Sequence, residues 1–283
     1  MSDAFPEARG QFEGHAIRDR AARQRRMLPW RAHRMAFWIL YDYAGGLIAL
    51  NIVTLAAVLL PVWLAARALP GAPALPAALA VALAALAAAG HASLAVSLVA
   101  GEPFSARLVW RGARRLAAGA LVMAALFGAA MATAAIGIWF YTYELAPRHP
   151  VAGLLAAGVC WGAGALVAMV AVYAPPALVH EKGAPLRAVR GSFRLVARHP
   201  VLSAAGLLTG LANAALMLTP PGLLLFSGLP ALVSGCCAYE LAARADALDA
   251  AIASGAEIPP GALDEDDLYL NRGICDLLFP WKV

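Results

Sequence analysis

One carboxylate and one imidazole sit inside runs that are otherwise apolar. Asp42 lies in Tyr41-Asp42-Tyr43-Ala44-Gly45-Gly46, and His91 lies in a stretch of small residues before Val99. Ionisable groups in such runs are costly in hydrocarbon, and they mark ion or ligand pathways or pair with one another. At 1.5 Å of helix per residue, Asp42 is about 8 Å past the start of its run at Phe37, and His91 about 12 Å before the end of its run at Val99. If the two runs cross side by side, the groups reach a similar depth. The functional reading is a proton-linked or ligand-contacting pair; the alternative is a structural hydrogen bond, or Asp42 reaching an arginine on the cytoplasmic side. Asn51 is about half a turn out of phase with Asp42 at about 100° per residue, so it belongs to a different face. Asn51, and Asn213 with Thr209 four residues before it, are expected to bond neighbouring helices. Glu240 is placed to reach water or Arg244.

The second group with chemistry is basic. Gly101-Glu102-Pro103-Phe104 leads into Arg107, Trp110, Arg111, Arg114 and Arg115, and Gly183-Ala184-Pro185-Leu186 leads into Arg187, Arg190, Phe193, Arg194 and Arg198. Proline just inside a helix start suits both openings. In the second stretch a helix puts the arginines on one side and Leu186, Val189, Phe193 and Val196 on much of the other. Such a helix lies in the membrane interface with its arginines toward anionic lipid headgroups or a partner. The alternative is that these segments only anchor the chain by their charge. Arg18 to Trp38 is similarly basic, so the chain reads as three units, each a basic segment followed by an outgoing and a returning helix.

No constellation for catalysis appears. G-x-S-x-G, H-E-x-x-H and G-x-x-x-x-G-K-[ST] are all missing. Cys160, Cys236, Cys237 and Cys275 form no C-x-x-C pair and read as small apolar residues. The expectation is no enzyme, no metal and no cofactor.

These residues must be positioned by membrane helices. The chain is 62% hydrophobic and 14% charged with a mean hydropathy of +0.71, which trades soluble surface for apolar area. Six runs are long enough to cross about 30 Å of hydrocarbon: Phe37 to Leu64, Leu75 to Val99, Leu116 to Tyr143, Val151 to Val179, Val201 to Leu218, and Gly222 to Ala243. Lipid offers backbone groups no partners, so all are expected to be helices. Pro70, Pro73, Pro147, Pro150 and Thr219-Pro220-Pro221-Gly222 mark turns, and Pro175-Pro176 is expected to bend or end the fourth run. Of the 22 Lys and Arg, Arg67 and Arg148 alone fall on the side opposite both termini. Short basic loops stay cytoplasmic, which predicts both ends inside. Trp139, Phe140, Tyr141 and Tyr143 form an aromatic belt at the outer end of the third run. The net charge of +5 flanks apolar runs, so it speaks for membrane orientation rather than nucleic acid. Arg25-Arg26 is not followed by the features of a twin-arginine leader, and no cleavable signal peptide is expected.

The fold class expected is all-α, a polytopic bundle of about six transmembrane helices with basic amphipathic interfacial helices on the cytoplasmic side. Residues 1–34 form a basic cytoplasmic segment, 35–243 the transmembrane domain and 244–283 an acidic cytoplasmic tail, with the sixth helix running on to about Ser254. Asp264-Glu265-Asp266-Asp267 favours a further helix start. That helix either folds onto the arginine-rich inner face or remains a solvated tail.

From Met35 to Arg244 the chain resembles the YesL family of bacterial membrane proteins. The likeness rests on Asp42-x-x-x-Gly46-Leu47-Ile48-x-x-Asn51, on Leu60-Pro61-Val62, on the basic stretch from Phe104 to Arg115, and on Tyr173-x-x-Pro176. It implies an all-helical bundle of the cytoplasmic membrane, often associated with carbohydrate importers, and transfers no catalytic residue. The membrane domain attached to some glycerophosphodiesterases is similar in its basic amphipathic loops. The expected function is therefore a non-enzymatic scaffold or accessory module for a membrane partner such as a transporter. The alternative is a small-solute or lipid transporter with its polar site near Asp42 and His91.

Overall fold

The computed structural model describes residues 19–219, 229–256 and 269–272. Among these residues every regular element is a helix: α1 Leu28–Asp42, α2 Ala44–Ala68, α3 Ala74–Val99, α4 Ala106–Trp139 continued by a π-helical turn Phe140–Leu145, α5 Pro150–His180, α6 Pro185–Arg198, α7 Pro200–Met217 and α8 Leu229–Ser254. A short helical stretch over 19–26 precedes α1. The protein is an all-α helical bundle of the membrane. Five helices are long and apolar enough to cross a bilayer: α2, α3, α4 with its π turn, α5 and α7. Gly222–Gly228, the outer part of the sixth expected crossing, lies outside the described residues. So do the turn Pro220–Gly222, Cys275, and the acidic run Asp264–Asp267 with most of the helix expected after it.

The helix ends follow local chemistry. Between α5 and α6 the chain turns through Lys182 and Gly183, both at positive φ (51° and 88°), and Pro185 then opens α6 at its first turn, where its missing N–H costs nothing. His199 separates α6 from α7 with φ −126° and ψ 62°, because the residue before Pro200 is driven out of the helical region. Gly101 at φ 81° closes α3.

Three expectations are corrected. The first apolar run is not one crossing. It breaks at Tyr43 (φ −110°, ψ 15°), so the crossing is Ala44–Ala68, and Asp42 is the last residue of α1 rather than a group inside the span. At Gly46 a Cβ would stand 3.1 Å from the ring of Phe104, and that ring stacks on Tyr43; the aromatic pair packs directly against the break. Second, the basic stretch from Arg107 to Arg115 is no separate interfacial helix but the first turns of the unbroken α4. Third, Pro175 and Pro176 do not end α5, which continues to His180. Pro176 has no N–H for the carbonyl of Val172, and that oxygen faces α8, where a Cβ on Gly235 would lie 3.0 Å from it. The freed carbonyl is thus covered by the close approach of a glycine backbone, which also draws α5 and α8 together.

Packing is organised around the three returning helices. α3, α5 and α8 contact one another, and their buried residues concentrate toward the arginine-rich end, from Ala89 to Val99, Val170 to Leu178 and Val233 to Ala242. The outgoing helices lie outside them; in α2 only Leu47 and Asn51 are buried. Each basic segment packs on the returning helix of another unit. The start of α4 runs along α3, where a Cβ on Gly90 would stand 2.6 Å from the Val109 carbonyl oxygen. α6 packs on α5, and α1 packs on α8, burying Met35 and Ile39 completely. This last contact joins the two ends of the chain and closes the ring.

Candidate site: a basic rim and intramembrane polar groups

Asp42 and His91 are not brought together. At the α1–α2 break, Asp42 Oδ2 accepts a hydrogen bond from Arg272 Nη1 at 2.6 Å. The Arg272 guanidinium also lies 5.1 Å above the Trp38 ring, and its backbone carbonyl accepts from Arg34. Beside it Tyr269 and Leu270 are buried in the main core. Burial first, then Tyr43 and Asp42, push the Tyr269 hydroxyl above its ordinary range, against the opposing pull of Arg272. Tyr269, Leu270 and Arg272 of the tail are therefore seated beside the break. The arginine that Asp42 reaches comes from the C-terminal tail, not from either basic loop.

His91 is buried in α3, and its Nε2 lies 3.2 Å from Thr54 Oγ1. Thr54 is ten residues into α2, about 15 Å of helix beyond the break, which separates the two polar groups. Thr54 and His91 face a cavity of about 270 Å³ between α2, α3, α7 and α8, whose other walls, such as Leu55, Val58 and Leu232, are apolar. Asn51 is fully buried, on the same face of α2 as Leu47. Asn213, expected to bond a neighbouring helix, instead donates from Nδ2 to Met217 Sδ on its own helix at 3.6 Å. Thr209 does cross between helices: its Oγ1 lies 2.6 Å from His33 Nε2 of α1.

The arginines divide into two sets. Arg198 Nη1 lies 2.8 Å from Asp246 Oδ2 and Arg187 Nε lies 3.4 Å from Glu181. These two pair with acids of the chain itself while staying largely exposed. Among the described residues Arg107, Arg111, Arg114, Arg115, Arg190 and Arg194 form no ion pair. α6 also departs from a two-sided pattern. Ala188, Ser192, Leu195 and Val196 are buried, whereas Leu186 and Phe193 are exposed beside the arginines. The apolar side is split between a face on the protein and an edge turned outward.

Two contacts between helices had only a weak signal in the sequence. Tyr173, fully buried, donates to the Leu202 carbonyl at 3.0 Å and ties α5 to α7; only its place in a family motif drew notice. Asp246 gathers Arg198, His199 and Arg25, joining α8 to α6, to the start of α7 and to the stretch before α1. Acids three apart, Asp246 and Asp249, on a helix facing basic segments were the available hint; Asp249 pairs with Arg25 as well. Glu240 does accept from Arg244 Nε at 3.3 Å.

The glycines of α5 separate by role. A Cβ on Gly164 would meet Ala134 Cβ at 3.5 Å, while one on Gly158 or Gly162 would meet nothing within 4 Å among the described residues. Among the described residues no three His, Cys, Asp or Glu lie close enough together to hold a metal.

No family model, curated protein or solved structure matches the chain, so its likeness to the YesL family rests on the quoted residues alone.

Proposed function

We propose that this chain is a non-enzymatic module of the bacterial cytoplasmic membrane that scaffolds or regulates a membrane partner such as a transporter. In this reading it has six crossings and both ends in the cytoplasm, with Arg67 and Arg148 outside by the rule that short basic loops stay in. The observation that carries the reading is the surface the chain leaves unfilled within the membrane. Gly158 and Gly162 are four apart on α5, and a Cβ on either would meet nothing within 4 Å among the described residues; they lie among exposed Leu155, Val159 and Trp161. Helices in lipid associate through close backbone approach at small residues, and here no helix of the described chain makes that approach. α2 adds a second outward surface through Val53, Leu60 and Trp63. The resemblance to the YesL family points the same way. The test is a pull-down of the tagged full chain from native membranes with mass spectrometry, beside the G158L/G162L variant. A membrane protein enriched with the wild-type chain and lost with the variant supports the reading; no enrichment, or equal enrichment with both, rejects it.

A second reading is favoured by the cavity at Thr54 and His91. A buried imidazole in hydrogen-bond contact with a hydroxyl, both lining a space of about 270 Å³, suits a proton-linked carrier of small solutes. This moves the polar site of that reading away from Asp42. Proton flux in proteoliposomes, followed with an enclosed pH-sensitive dye and removed by H91A, supports it; flux equal to that of protein-free vesicles rejects it.

A further inference from the structure

The geometry points to a binding site for the phosphodiester of an anionic phospholipid in the groove between the end of α3 and the start of α4. The groove encloses about 730 Å³, and Arg111, Arg114 and Arg115 line it together with Ser93 and Ser97. Spacings of three and four along α4 put the three guanidiniums on one helical face. None of them has an acidic partner among the described residues. The serine protons are already engaged: Ser93 Oγ donates to the Ala89 carbonyl at 3.0 Å and Ser97 Oγ to Glu102 Oε2 at 2.7 Å. The donors open to a ligand are therefore the arginines, whose planar forks match phosphate oxygens.

The groove is held in shape rather than assembled by the ligand. Gly112 lies so close to Ser93 that a Cβ there would overlap the Ser93 side chain, and Gly90 lies against the Val109 backbone. Both contacts fix α4 on α3, one on each side of Arg111 in the sequence.

Three features select a lipid over a free phosphate. Val96, Leu108 and Val179 give the groove an apolar wall, which suits a glycerol backbone with its first acyl carbons. Ser93 and Ser97 lie within the last two turns of α3, so the groove opens where an apolar helix ends, at headgroup level. Trp110 also lines the groove, is 67% exposed, and has the Arg114 guanidinium 6.0 Å from its ring. An exposed indole beside arginines belongs at the membrane interface. The site does not depend on any protein partner.

The experiment is native mass spectrometry of the full chain in detergent, titrated with phosphatidylglycerol, with phosphatidylcholine and with inorganic phosphate. Phosphatidylglycerol is expected to bind at least about tenfold more tightly than phosphatidylcholine, since each basic residue at a membrane surface contributes to anionic-lipid attraction. R111Q/R114Q/R115Q removes that preference and R190Q/R194Q keeps it. Preference retained in the triple variant overturns the proposal. So does displacement of phosphatidylglycerol by inorganic phosphate at equal concentration, which would assign the groove to a soluble anion. Hydrogen exchange on the wild-type chain decides independently of any variant: phosphatidylglycerol slows the amides of residues 107–115 relative to phosphatidylcholine, and equal exchange in the two lipids overturns the site.

Discussion

Arg272 Nη1 donates to Asp42 Oδ2 at 2.6 Å, across 230 residues of chain. Both side chains are largely shielded, at 14% and 25% exposure, and the guanidinium is sandwiched against Trp38. A charge-assisted hydrogen bond in such a setting contributes about 2 kcal/mol. D42N therefore loosens the seated tail residues, and trypsin cleaves after Arg272 up to about thirtyfold faster than in the wild-type chain. Unchanged cleavage would show that the pair does not hold the tail.

The same contact carries a pH dependence through Tyr269. Its hydroxyl is pushed up from the ordinary value of 10.0 when the tail is docked, so the docked state binds the proton more tightly than the released one. The stabilisation is present below pH 10 and is lost as the pH rises beyond it. Protection of Arg272 from trypsin is expected to hold up to about pH 10 and to fall as the pH rises beyond it, and Y269F flattens that fall.

Helix approach at Gly90 is steric. A methyl there would stand 2.6 Å from the Val109 carbonyl oxygen, a backbone atom that cannot turn aside. G90A is expected to destabilise the bundle by about 2 kcal/mol through overpacking, measured as a lower melting temperature in detergent. G128A, with open space around it, leaves the melting temperature unchanged.

Tyr173 is a cross-helix tie. Y173F removes the hydroxyl that reaches the Leu202 carbonyl from another helix and lowers stability by about 1 kcal/mol, the scale of interhelical hydrogen bonds in membranes. A melting temperature equal to the wild type would show that the ring, not the hydroxyl, holds α5 to α7.

The proposed orientation is checked at the two isolated arginines. R67C and R148C, expressed in cells, are expected to react with a membrane-impermeant maleimide added outside, above the background from the native cysteines. Protection of both until the cells are lysed would invert the orientation.

The helices were legible because hydropathy and length determine which segments cross, and the proline and glycine positions marked their ends. The break at Tyr43 was not. Phe37, Trp38, Ala44 and Leu47 are all apolar, so hydropathy runs unbroken through a point where the chain starts a new helix. The persistence of α5 through Pro175 and Pro176 was hidden for a related reason: the glycine that covers the freed Val172 carbonyl is Gly235, on another helix. Reading Asp42 against His91 failed because depth was counted from the apolar edge at Phe37, whereas the crossing starts at Ala44. The arginine stretches were visible from spacing alone, yet the commitment of Arg187 and Arg198 to acids of the chain depended on Glu181 and Asp246, and Asp246 is brought near by packing rather than by sequence.

The seam between α1 and α8 sets an order of assembly. α1 is made before α8, the helix that packs on it most extensively. Until α8 follows, that side of α1 is shared with acyl chains, and only the smaller contacts with α2 and α7 are open to it. The α1–α8 contact thus forms late in assembly. A chain interrupted before Leu229 cannot make that contact, and it stays marked for quality-control proteases by the side chains it failed to hide.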